Sequence, residues 1–109
     1  MAGQVRVEMY QRAVELAARL YIVVELAAKD RYLRDALDTK STAIPELIAR
    51  GLASSGPERR EYFAIARRVI IDCAAILDML REGRTIDVEA LGPARTLASS
   101  MLHKIDGAS

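Results

Sequence analysis

Apolar residues in the first quarter of the chain fall on two adjacent helical stripes. Met9, Ala13, Leu16, Leu20, Val23 and Ala27 recur at spacings of three and four, and so do Val7, Tyr10, Val14, Ala17, Tyr21, Val24 and Ala28. One stripe seats a helix on a core; a second beside it asks for a partner on another side. The pattern predicts helix one over about residues 5–28, with Glu8–Arg12 and Glu15–Arg19 at the favourable i,i+4 spacing on its polar side. Residues 20–28 are apolar nearly all round, so this stretch is expected to be buried from several directions.

Lys29-Asp30 marks a tight connection with Asp30 as an N-cap. Helix two is expected over about residues 31–52, with Leu33, Leu37, Ser41, Ile44 and Ile48 inward. Pro45 lies inside it, removing a donor and crowding the carbonyl of residue 41, which predicts a kink. Ala53-Ser54-Ser55-Gly56-Pro57 reads as a loop in which Pro57 opens helix three and Glu58 suits the helix dipole. Helix three, about residues 57–82, carries Tyr62, Ala66, Val69, Cys73, Ile76 and Leu80 on one stripe and Phe63, Ile70 and Leu77 on a second. Gly83 is the expected stop. Thr85 or Asp87 should cap helix four, which reaches about residue 105 with Val88, Leu91, Ala94, Ala98, Met101 and Ile105 inward. Gly92-Pro93 should disturb its first turns, so regular helix is expected from Pro93. No alternating strand pattern, repeat or low-complexity stretch occurs. The fold class is therefore all-α: one domain over residues 1–109, an antiparallel up-down-up-down four-helix bundle with helix two kinked at Pro45.

Composition sharpens this picture. A chain of 109 residues buries roughly two thirds of the surface it exposes when unfolded. With no Trp and one Phe in a composition that is 51% hydrophobic, Ala, Leu, Ile and Val must fill the core, which favours close-packed helices. The formal charge of +1 argues against coating nucleic acid by bulk charge. Of 16 basic residues 13 are Arg, whose planar fork suits carboxylate or phosphate, although genomic base bias yields the same composition. A single cysteine excludes an intrachain disulfide. The amino terminus leads straight into an amphipathic helix without the apolar run of a signal peptide, and no run is long enough to span a bilayer. A cytoplasmic protein without membrane contact is the expectation.

Chemistry-bearing residues are sparse. Arg59, Arg60, Arg67 and Arg68 lie two turns apart on helix three and form a candidate nucleic-acid strip, reinforced by Arg50 and Arg34 on helix two. Glu58, Glu61 and Asp72 temper that face, which reads equally well as a solvated surface. His103 is the sole histidine and lacks ligands at metal spacing; it suits a surface or interface position. Cys73 sits on an inner stripe and reads as a small hydrophobe; a Cys73–His103 pair would lack an orienting group. Asp72 and Asp78 suit ion pairs, within the chain or to an Arg of a neighbouring copy. No catalytic residue, cofactor or metal is expected.

The run Ala43-Ile44-Pro45-Glu46-Leu47-Ile48-Ala49-Arg50-Gly51-Leu52 resembles the S-I-P-x-N-I-A-E-G-F signature of the bacterial four-helix-bundle proteins first noticed in 23S ribosomal RNA intervening sequences. Glu61-Tyr62-Phe63-Ala64-Ile65-Ala66-Arg67-Arg68-Val69 is similar to that family's Glu-Phe pair followed by I-A-R-G-S, and Tyr10-Gln11-Arg12-Ala13-Val14-Glu15-Leu16 resembles its W-Q-K-A-x-E-L opening. Leu47, Arg50, Ala43 and Arg68-Val69 depart from it at polar positions. The resemblance implies a homopentamer with a central channel. The related accessory variability protein of diversity-generating retroelements, similar in size and helix order, binds reverse transcriptase and its template RNA, although its usual Gly-Trp ending is missing here.

Two functions follow as expectations. One is a non-enzymatic, pentameric four-helix-bundle interaction protein, with its arginines as candidate contacts to RNA and Tyr10, Val14, Tyr21, Val24, Phe63, Ile70 and Leu77 at subunit seams. The other is the retroelement accessory role, with a reverse transcriptase and RNA as partners.

Overall fold

A computed structural model describes residues 3–84 and 86–108. Four helices follow one another: α1 (Gly3–Leu26), α2 (Arg31–Ala53), α3 (Gly56–Gly83) and α4 (Val88–Ala108). No strand occurs among the described residues. Each helix packs on its neighbours in the chain and α4 packs back on α1, so α1 and α3 stand at diagonal corners, as do α2 and α4. The long dimension, 42 Å, equals the length of α3 at about 1.5 Å per residue, so the helices lie along it.

The first of the two stripes on α1 builds the core: Met9, Ala13, Leu16, Leu20 and Val23 are buried, as is Ala27 just past the helix end. The second stripe behaves differently. Val7, Tyr10, Val14 and Tyr21 stay exposed, and only Val24 turns inward. The expected all-round burial of residues 20–28 is thus met on one side, while Tyr21, Ile22 and Leu26 face outward. On α3 both stripes point inward. Phe63, Ala66, Ile70, Cys73, Ile76, Leu77 and Leu80 are buried, because α3 is covered by α2 on one flank and α4 on the other.

Helix ends follow local chemistry. The Asp30 carboxylate accepts from the Leu33 N–H at 3.3 Å and starts α2. Asp87 Oδ1 accepts from the Glu89 N–H at 3.1 Å and starts α4; Thr85, the other expected cap, lies outside the described residues. Helical structure begins at Val88, five residues before the expected start, so Gly92-Pro93 is absorbed within α4. Pro45 likewise sits inside an unbroken α2. The connection between α2 and α3 shortens to Ser54-Ser55, and Gly56 opens α3 at φ +57°, a left-handed conformation that glycine adopts at little cost. α3 ends at Gly83, the expected stop, and the residue after it, Arg84, takes the left-handed conformation at φ 54°.

The α2–α3 contact depends on Gly51. A Cβ there would fall onto the Phe63 ring, which itself is fully buried. Ser41 is the one buried polar side chain among those described, and its hydroxyl donates to the Asp38 carbonyl at 3.1 Å. Arg12–Glu15, at 2.8 Å, takes the place of the two i,i+4 pairs expected on α1.

Gly51→Ala should lower stability by about 1–3 kcal/mol in urea unfolding, because overpacking against Phe63 outweighs the gain in helix propensity. Adding Phe63→Leu should recover part of that loss. Arg84→Gly should raise stability by about 0.5–1 kcal/mol by relieving a left-handed residue with a Cβ; an unchanged or lower midpoint would contradict this.

Candidate functional site

The five candidate arginines do not form one strip. Arg59 turns back over the end of α2, where its Nε donates to the Gly51 carbonyl at 3.0 Å and an Nη to the Leu52 carbonyl at 3.2 Å. Arg6 of α1 donates to the same Leu52 carbonyl. The last carbonyls of a helix have no partner within it, so two guanidiniums from neighbouring helices satisfy them here. Arg67 pairs with Asp106 of α4 at 2.8 Å and Arg50 with Glu46, one turn back, also at 2.8 Å. Arg34 pairs with Asp35 beside it. Of these candidates, only Arg60 and Arg68 are exposed with no hydrogen bond or ion pair among the described residues. The spacing of seven and eight places the four helix-three arginines on neighbouring tracks, as expected, but the tracks face different neighbours.

The acidic candidates resolve within the chain. Asp72 meets Lys40 of α2 at 3.1 Å, and Asp78 meets Arg95 of α4 at 3.1 Å. These pairs are half exposed, a setting in which ion pairs orient helices more than they stabilise them. Cys73 is fully buried, and burial, opposed by Lys40 and assisted by Asp72, pushes its thiol up to about 12. It therefore stays protonated and packs as an apolar group at neutral pH. His103 is exposed. Among the described residues no three His, Cys, Asp or Glu side chains gather at metal-binding distance. No helix is long and apolar enough to cross a membrane.

The interface candidates divide in the same manner. Val24, Phe63, Ile70 and Leu77, expected at subunit seams, are sealed inside this chain's own core. Their stripes are consumed by α2 and α4, so they offer nothing to a second molecule. Tyr10, Val14 and Tyr21 remain outside at 44, 42 and 59% exposure. With Val7 before them and Ile22 beside Tyr21, they make an outward apolar stripe along α1 that holds no charged side chain from Val7 to Tyr21 on its own track. At its end Glu25 stands next to Tyr21; hydrogen bonding to that carboxylate and its charge, with a smaller contribution from Asp38, raise the phenol above its ordinary range. Tyr21 thus presents a protonated hydroxyl. The diagonal helix α3 exposes a second mixed face, where Ile71 and Met79 are accompanied by Ala64 and Ala75 and by the unpaired Arg60 and Arg68. Periodicity alone did not single out this face, because its apolar residues are spaced by alanines that read as filler.

A cleft between α3 and α4 measures about 310 Å³, and its lining includes Asp78, Arg81, Leu91 and Arg95. Arg95 and Asp78 pair across it. No family model, curated protein or solved structure matches the chain.

Arg59→Ala should cost about 1–3 kcal/mol in chemical unfolding, since it removes hydrogen bonds that satisfy the end of α2. Arg68→Ala should stay within about 0.5 kcal/mol of the parent. Equal effects would contradict the different roles given to the two side chains.

Proposed function

We infer that the protein is a non-enzymatic, self-assembling interaction module of the cytoplasm. The observation that carries this reading is the outward stripe of α1. A monomer of this size has little reason to keep Val7, Tyr10, Val14, Tyr21 and Ile22 in water on one side of one helix. Aromatic side chains with a polar tip are characteristic of surfaces that meet other proteins. An up-down-up-down order within the subunit is supported by Arg59–Gly51 with Lys40–Asp72 between α2 and α3, and by Arg67–Asp106 with Asp78–Arg95 between α3 and α4, where numbers rise on one helix as they fall on the next. Pro45 bends α2 where its ring crowds the carbonyl of residue 41.

The resemblance to the intervening-sequence proteins supports five copies in a ring. A role with RNA rests on Arg60 and Arg68 alone, since Arg50, Arg59 and Arg67 are engaged within the chain. Repetition around a ring would raise the avidity of so small a site. The retroelement accessory reading needs a broader basic surface than these two residues supply.

Light scattering at micromolar concentration should report a discrete oligomer. Val14→Asp combined with Tyr21→Asp should reduce it to a folded monomer with unchanged helical circular dichroism. A monodisperse wild-type monomer would overturn the reading.

A further inference from the structure

The α1 stripe and the α3 face stand at opposite corners of the same bundle, so one copy can offer its α1 to the α3 of the next. We propose that the subunits join head to tail, with Tyr10, Val14 and Tyr21 of one copy packed against Ala64, Arg68, Ile71 and Ala75 of its neighbour. This rests on the self-assembly reading and specifies the surface that α1 meets.

Height along the bundle supports the pairing. Arg6 and Arg59 converge on Leu52, so the starts of α1 and α3 share one level. Further along, Tyr21 lies near Asp38, two residues from the Lys40 that pairs with Asp72. Both marks give an offset of 53 residues between α1 and α3, which sets Tyr10 level with Phe63, beside the exposed Ala64, Ala18 with Ile71, and Tyr21 with Ala74, beside the exposed Ala75. In a closed ring whose axis follows the helices, every copy sits at the same height, so these are the residues that meet. Tyr10 and Tyr21 then fall beside Ala64 and Ala75, Ile71 falls opposite Ala18, and Val14 lies beside Arg68, so large and small side chains alternate over most of the contact.

Charge and chemistry agree with this arrangement. The α1 stripe carries no cation, and its one flanking charge near Tyr21 is Glu25. The centre of the α3 face carries Arg68, exposed and without an ion pair among the described residues, while the exposed carboxylates Glu61 and Glu82 stand toward the two ends of that face. Arg68 lies level with Glu15, next to Val14, and a side chain leaning toward the start of α3 can carry its guanidinium toward the Tyr10 ring for a cation–π contact. Arg60, one turn beyond Ala64, stands near the level of Val7. Two copies of the α1 stripe facing each other would leave both arginines and Ile71 uncovered.

The test is site-directed crosslinking of the whole chain with a short bis-maleimide. Cys73 is fully buried and does not compete. Ala18→Cys with Ile71→Cys in one chain should give a ladder of covalent oligomers, while either substitution alone gives none. Arg68→Glu should raise the concentration at which the oligomer dissociates by about tenfold or more, with circular dichroism unchanged. Crosslinked dimers from Val14→Cys alone would show α1 meeting itself and overturn the head-to-tail pairing. An intact oligomer with no Ala18–Ile71 ladder and no response to Arg68→Glu would also overturn it, leaving self-assembly in place. A wild-type monomer would instead remove self-assembly itself.

Discussion

The end of α2 is the junction on which the rest of the subunit depends. A helix terminus leaves carbonyls without partners, and burying them unpaired costs about 1–3 kcal/mol each. Here Arg6 from α1 and Arg59 from α3 both donate into that terminus, so three helices are tied at one point. Gly51, at the same place, lets the Phe63 ring lie directly on the α2 backbone. A side chain at position 51, or loss of either guanidinium, would separate helices whose apolar faces must otherwise meet.

That junction explains why the arginines do not behave as a group. A guanidinium within reach of a helix C-terminus gains hydrogen bonds that a solvated one lacks, so Arg59 is held by geometry and not by any ligand. Arg67 is held by Asp106 for a simpler reason, proximity across the α3–α4 seam. The surface left for binding is what remains after these internal requirements are met: the outer stripe of α1, and on α3 a face where Arg60 and Arg68 stand among Ala64, Ile71, Ala75 and Met79. Assembly and structure thus draw on one small set of residues, divided by which of them an internal partner reaches first.

Cys73 and Ser41 show the same economy in the interior. The thiol is kept neutral by its burial, and the hydroxyl satisfies itself on the carbonyl one turn back. The core therefore holds no charge and no unsatisfied side-chain polar atom among the described residues. With so little buried polarity to impose register, specificity falls to shape, above all to the Gly51–Phe63 contact, and to ion pairs at the helix edges.

Helix number, approximate bounds and most of the core were legible in the sequence, because a period of 3.6 in apolar residues is a local property of the chain. The Asp30 cap and the loop at Ser54-Ser55 were legible for the same reason. The second stripe of α1 was visible too, but its fate was not: the same periodicity on α3 led to burial and on α1 to exposure. Which of two stripes faces water depends on where the other helices stand, and no residue on the stripe itself carries that information. The left-handed turn at Arg84 and the helical start at Val88 likewise depend on how the chain must turn to bring α4 onto α1. Sequence determined what wants to be covered; only the arrangement of four helices around one axis decided what was, because each helix has two neighbours and the apolar surface of α1 is wider than its two can reach.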